Sequence, residues 1–322
     1  MGGAMADFST SDAIGAGFGL IARRPLSVLA WGLIYFILAG LPALAMFAWV
    51  GPDYFNFIRE AMQGALHPGD AQALQAAMAP TQMKLSLIQP LLFVGSLLAR
   101  AILAAAVLRA VLEPGAKSFA SVRLGAQELW LALLFLVMMI LFIILIVALA
   151  IFGLLAGFAI GAGMNAAHAQ PGWIALCVIV LGLVAIALVI WIAVRFSMAA
   201  PMTFADREFR LFESWTLTKG KAWRLFLLGL LLALIMVALV LVIEGTILAA
   251  ALISIGPGLF DGGRMMAFFQ QPPDVLFRTL APWMVGLSLV GAFLAGAFGA
   301  ISIAPWAVAY RELTAGRGGR AA

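Results

Sequence analysis

The sequence predicts an all-α fold: a polytopic membrane helix bundle of six transmembrane helices in three related pairs, with amphipathic helices at the interface. Three observations lead there. The composition is too apolar for water, six stretches are long enough to span a bilayer, and polar landmarks recur along the chain at fixed offsets. Of 322 residues, 65% are hydrophobic and 10% charged, with a mean hydropathy of +1.12. Soluble domains carry about 25% charged residues, and disordered chains carry few apolar ones, so both classes are excluded. The chain is read as a single integral membrane domain over residues 1–322.

A spanning helix needs about 20 mostly apolar residues. The qualifying stretches are 26–50, 86–112, 129–160, 172–200, 223–254 and 281–309. The uncharged run from Trp130 to Gly163 corresponds to roughly 50 Å of helix. Tilt, a break near Gly153, or an end projecting past the bilayer would accommodate it. The first residues, MGGAMADFSTSD, lack the basic start, short apolar core and cleavage site of a signal peptide.

Six crossings put both ends on one side. That side holds Arg23, Arg24, Arg109, Lys117, Arg123, Arg195, Arg207, Arg210, Lys219, Lys221, Arg224, Arg311, Arg317 and Arg320. The other side holds Arg59, Lys84, Arg264 and Arg278, and Arg100 lies within a span. This bias predicts a multi-pass protein of the bacterial inner membrane with cytoplasmic termini. It also accounts for the net charge of +5 without invoking nucleic acid.

The outer connections are uneven. In 51–85, YFNFIREAMQGAL and DAQALQAAMA are expected to be short helices, with HPGD a turn, Asp70 a candidate N-cap and Pro80 a stop. In 256–280, GPGLFDGG is turn-prone, and MMAFFQ and PPDVLFRTL are expected to form short helices. The connection around NAAHAQPG is short.

Internal similarity supplies the pairing. The pattern F-x-S-[VW]-x-L-x5-W covers Phe119–Trp130 and Phe212–Trp223, and P-x3-A-x-R-E occurs at 201–208 and 305–312. A weaker copy of the first runs from Ile14 to Pro25. The proposed units are 8–112, 113–208 and 209–312, each an inner segment, a span, an outer loop and a returning span. All start on the same side, so the repeats are parallel. Arg100, Arg195 and Gly299 occupy equivalent positions in this alignment.

In REFRLFESWTLTKGKAW, the residues Phe209, Phe212 and Trp215 recur at helical spacing, while Arg207, Arg210, Lys219 and Lys221 remain for water or anionic headgroups. The expectation is one interfacial helix with Gly220 as its bend, serving topology, anchoring or headgroup binding.

The stretch Arg195–Phe226, RFSMAAPMTFADREFRLFESWTLTKGKAWRLF, resembles bacterial six-span proteins related to the membrane domain of glycerophosphoryl diester phosphodiesterases. An arginine closes a span, a proline precedes the inner loop, and Ser214 leads through Thr218, Lys219 and Gly220 to an aromatic residue. The resemblance covers about a tenth of the chain closely and implies the six-span layout. It does not imply the enzymatic activity, because the chain has no room for the catalytic barrel and no His, Glu and Asp cluster.

Ionisable groups at membrane depth are costly and often functional. Arg100 lies roughly 20 Å from the outer end of its span, and Glu244 roughly 15 Å from the outer end of its own. A polar site of Arg100, Glu244 and Arg195 is therefore the candidate. An Arg100–Glu244 pair would be either structural or part of a pathway, and paired arginines would also grip a lipid phosphate. Gly153, Gly157 and Gly161, and Gly291, Ala295 and Gly299, have the spacing of close helix packing; packing within the bundle is expected, with homodimerisation the alternative.

No catalytic residue, cofactor or metal site is expected. His67 and His168 lie in outer connections without ligand spacing, and Cys177 sits in an apolar run. The expected function is non-enzymatic: binding or organising membrane lipids, or supporting a membrane-protein partner or homo-oligomer. The alternative is transport of a small molecule or lipid through the Arg100 and Glu244 site.

Overall fold

A computed structural model describes residues 9–62, 71–115, 121–123, 125–166, 171–255 and 262–318. Asp70, Lys117, Phe119, His67, His168 and Arg320 lie outside the described residues. Among those described there is no strand. The helices are α1 (Thr10–Arg23), α2 (Pro25–Tyr35), a π-helical turn (Phe36–Gly40), α3 (Leu41–Met62), α4 (Ala71–Leu112), α5 (Ala126–Ala166), α6 (Pro171–Phe196), α7 (Ala199–Asp206), α8 (Glu213–Leu217), α9 (Ala222–Ile255), α10 (Gly262–Phe269) and α11 (Pro273–Gly318). Among the described residues, six spans are long and apolar enough to cross a membrane: Pro25–Ala61, Ala71–Leu112, Ala126–Gly163, Ala175–Asp206, Ala222–Ala249 and Pro273–Ala315. The chain is a multi-pass membrane protein.

Local chemistry sets the ends. Ser9 accepts the Asp12 N–H at 3.3 Å and caps α1. Pro25 starts α2, where its missing N–H costs nothing. The π turn precedes Pro42, which has no N–H to offer the Leu38 carbonyl; the Leu41 N–H bonds back to Phe36 instead. That carbonyl lies against Gly95 of α4, at a separation no Cβ would permit.

Several expected breaks are absent. Pro80 lies inside the continuous helix α4 rather than stopping it. Helix α5 runs unbroken past Gly153 for 41 residues, roughly 60 Å. The YFNFIREAM segment extends α3, and PPDVLFRTL opens α11 rather than forming a separate helix. Helix α10 takes up the MMAFF segment.

The interfacial helix is also not continuous. Arg207 takes a left-handed conformation, φ 58°, and ends α7, so the Phe209–Trp215 face is split. Phe209 packs into the core while Phe212 is exposed, and only Glu213–Leu217 is helical. Gly220 is the expected bend, with φ 77°. In the second P-x3-A-x-R-E copy Arg311 stays helical inside α11.

The spans form a ring in chain order. α3 packs on α4, α4 on α5, α5 on α6, α6 on α9, and α9 on α11, which closes against α1 and α2. The returning segments α4, α7 and α11 also touch one another inside the ring. Their contact is built from small residues: Ala101, Ala104 and Ala105 of α4, Ala199 of α7 and Ala307 of α11 share one buried cluster with Leu108, Leu131 and Phe204.

The buried clusters lie in the half of the bundle near the chain ends. Toward the opposite face α5, α6 and α9 present Ile151, Phe158, Leu183 and Val242 outward, as a lipid-facing surface requires.

The glycine contacts differ from the expected stripes. A Cβ at Gly153, Gly157, Gly161 or Gly291 would meet nothing within 4 Å. The close crossing is one position round the helix, where Gly296 lies against the Val28 carbonyl and Gly32 against the Ala292 carbonyl. This is reciprocal small-residue packing between α2 and α11. Gly299 does pack tightly, against Leu103, whose Cδ2 would be 2.6 Å from an added Cβ.

Candidate functional site

A cavity of about 860 Å³ occupies the middle of the ring, and every span contributes to its wall. Tyr35 comes from the first span, Ser96 and Arg100 from the second, Met138 from the third, Phe196 from the fourth, Met236 from the fifth, and Phe298 and Ser302 from the sixth. Arg100 is the only charged group among the described residues lining it. Both lining serines turn their hydroxyls to their own helices, Ser96 to the Phe93 carbonyl at 2.9 Å and Ser302 to the Gly299 carbonyl at 3.4 Å. The Arg100 guanidinium makes neither an ion pair nor a hydrogen bond within the described residues. The cavity is therefore an apolar chamber with one strong, unsatisfied cationic donor.

Glu244 does not reach it. The residue is exposed on α9, pairs with no cation among the described residues, and lies outside the cavity wall. Measured from the ends nearer the termini, Arg100 is roughly 18 Å along α4 from Leu112, while Glu244 is roughly 33 Å along α9 from Ala222. The two groups looked level only when measured from the outer ends of the expected spans, residues 86 and 254. α4 and α9 are not packed as neighbours.

Arg195 lies about as far from Asp206 along α6 and α7 as Arg100 lies from Leu112 along α4. Its guanidinium is held between two indoles, 5.5 Å from the ring centroids of both Trp191 and Trp215. Those rings meet edge to face at 5.0 Å. Nε and Nη1 are buried without a hydrogen-bond acceptor, so the aromatic faces supply their electrostatic partner. The backbone carbonyl of Arg195 ends α6 and needs a donor from elsewhere. Ser214 donates to it at 2.8 Å, and Thr218 approaches at 3.5 Å. Both side chains are fully buried. The serine and threonine of the inner motif thus tie the loop after α7 to the helix break. Ser214→Ala is expected to lower stability by about 1–3 kcal/mol, the cost of a buried acceptor losing its partner. An unchanged melting temperature in detergent would show that the hydroxyl is dispensable.

Of the four cations expected to face headgroups, two are engaged. Arg210 bonds Asp206 at 2.9 Å and Glu208 at 3.4 Å, and Arg207 approaches Glu113 at 3.9 Å. Lys219 is exposed and Lys221 half-buried, and neither forms an ion pair among the described residues.

The most heavily bonded charge is one that the sequence places merely among the inner cations. Arg109 is 1% exposed. It donates to Glu128 at 2.6 Å, to the Ser121 carbonyl at 2.7 Å and to Gln127 Oε1 at 3.0 Å. Its guanidinium also lies 5.4 Å from the Phe204 ring centroid. Glu128 in turn accepts the Gly125 N–H at 3.0 Å, closing the start of α5 as the acidic half of a capping box, and Gln127 donates to the Phe204 carbonyl at 3.1 Å. One hub thus joins α4, α5 and α7. Glu128 opening a long uncharged run was the available signal; its partner lies 19 residues back across a loop.

No family model, curated protein or solved structure matches the chain. Among the described residues no group of His, Cys, Asp and Glu is arranged to hold a metal ion.

Proposed function

We propose that the protein binds an anionic amphiphile, a membrane lipid or its acyl derivative, in the central chamber, and that it acts in the inner membrane without catalysing a reaction. The observation that carries this reading is the unpaired Arg100 guanidinium in an otherwise apolar cavity of about 860 Å³. The Arg100 side chain is exposed to the cavity, and an unpaired cation at membrane depth is costly unless an anion joins it; the apolar wall selects a ligand with a hydrocarbon portion. The basic bias toward the chain ends supports cytoplasmic termini. Convergence of α4, α7 and α11 inside the ring, with Arg100 and Arg195 at matched distances from their helix ends, supports the three-unit repeat and kinship with the six-span proteins that the Arg195–Phe226 stretch resembles.

The test is native mass spectrometry of the full chain released from mild detergent. The wild type is expected to retain lipid of an anionic class. Arg100→Gln is expected to lose it while keeping its folded charge-state distribution. Equal lipid retention by both proteins would overturn the reading. A transporter would use the same chamber and would require Glu244 to approach Arg100 in a second conformation; anion-dependent uptake abolished by Glu244→Gln would favour it.

A further inference from the structure

A second pocket lies on the face opposite the chain ends, between α3 and α11. It is an open groove of about 500 Å³ lined by Pro52, Asn56, Arg59, Asp274, Phe277 and Arg278, with Pro273 beside them. That face carries only four basic residues in the sequence, and two of them meet here. Lys84 is already committed, bonded to Asp53 at 2.6 Å and to the Trp49 carbonyl at 3.1 Å. Arg59 and Arg278 have no carboxylate partner among the described residues. Asp274 stands four residues before Arg278 on α11, the spacing at which such pairs normally close, yet the two form no ion pair. Asn56 accepts from Arg59 Nη2 at 3.1 Å and fixes one fork. Phe277, stacked on Phe47 at 5.3 Å, holds the two helices together beside it.

We infer that Arg59 and Arg278 form a phosphate-binding site at the outer membrane boundary. Two guanidinium forks can each meet a pair of phosphate oxygens. With Asp274 present, the pocket carries one net positive charge, which matches a singly charged phosphodiester better than a phosphomonoester. Arg59 lies three residues from the end of α3 and Arg278 five residues after the start of α11, the ends at which a spanning helix meets lipid phosphates. The same chemistry fits a lipid headgroup and free phosphate, and the site is independent of the Arg100 chamber.

The experiment follows thermal unfolding of the full chain in dodecylmaltoside during titration with short-chain phosphatidylglycerol, with the matching diacylglycerol, and with inorganic phosphate against sodium chloride of equal ionic strength. Phosphatidylglycerol is expected to raise the melting temperature and the diacylglycerol to leave it unchanged. Stabilisation by phosphate as well would assign the site to the free ion. Arg59→Gln or Arg278→Gln is expected to weaken the apparent affinity about tenfold, the loss of one charge-assisted contact, whereas Arg100→Gln leaves this component in place. If the glutamine variants do not fold, Arg59→Lys and Arg278→Lys, which keep the charge and lose the fork, are expected to weaken binding several-fold. Titration midpoints unchanged in the folded variants, or no stabilisation of the wild type by either phosphate ligand, would overturn the assignment.

Discussion

Arg109→Met is expected to destabilise the folded protein by about 3–5 kcal/mol, the cost of removing one partner from a buried ion pair. The size follows from what the substitution leaves behind. Glu128, whose side chain is 7% exposed, would keep its charge without a cation. The Ser121 carbonyl and Gln127 Oε1 would lose their donor as well. Three helices meet at this hub, so the loss propagates to the junction of α4, α5 and α7. The double variant Arg109→Met with Glu128→Gln removes the stranded charge and retains an oxygen for the Gly125 N–H. It is therefore expected to recover part of the loss. Melting temperatures in detergent for the two single variants and the double one measure the coupling. Additive effects would show that the pair does not act as a unit.

Gly296→Val is expected to cost at least about 3 kcal/mol, the upper end for overpacking, and in practice to prevent recovery of folded protein. The reason is that the obstruction is backbone. A Cβ at Gly296 falls on the Val28 carbonyl and crowds the Gly32 nitrogen at 3.0 Å, so no rotamer change makes room. Relief requires α2 and α11 to separate, and with them the closure of the ring. Gly157→Val is the control, because a Cβ there meets nothing within 4 Å. It is expected to fold like the wild type. A Gly296→Val protein with wild-type yield and melting temperature would mean that the α2–α11 crossing is not the tight contact described.

The spans were legible because lipid imposes a length and an apolar character that any reading of the chain detects. Their interruptions were not. Pro80 and Gly153 are punctuation by composition, yet α4 and α5 continue through them; for Gly153, within the apolar run, the bilayer offers the backbone no water to bond. The inner segment was misread for a different reason. Its aromatic spacing is helical, but the left-handed Arg207 resets the register, and nothing about an arginine announces that conformation. Arg100 stood out as a lone charge in an apolar run, and it is the residue that lines the chamber. Its supposed partner Glu244 stood out equally, but it is exposed on α9 and lies outside the chamber wall. The Arg109 hub was hidden by position, since a cation at the end of a span is normally credited to topology. Which small residues pack also escaped the sequence: the periodicity of Gly291, Ala295 and Gly299 is indistinguishable from that of Ala292 and Gly296, and only the rotation of α11 decides between them.

The closure of the ring by α11 has a bearing on how the protein is made. Helix α2 is synthesised well before its principal partner, α11. At about 5–20 residues per second, the delay runs to some tens of seconds. During that interval the α2 surface around Gly32 and Val28 is bare to lipid or to whatever escorts the nascent chain. Truncation or stalling before Pro273 would leave that surface open permanently, and it would mark the unfinished product for the membrane's quality-control proteases.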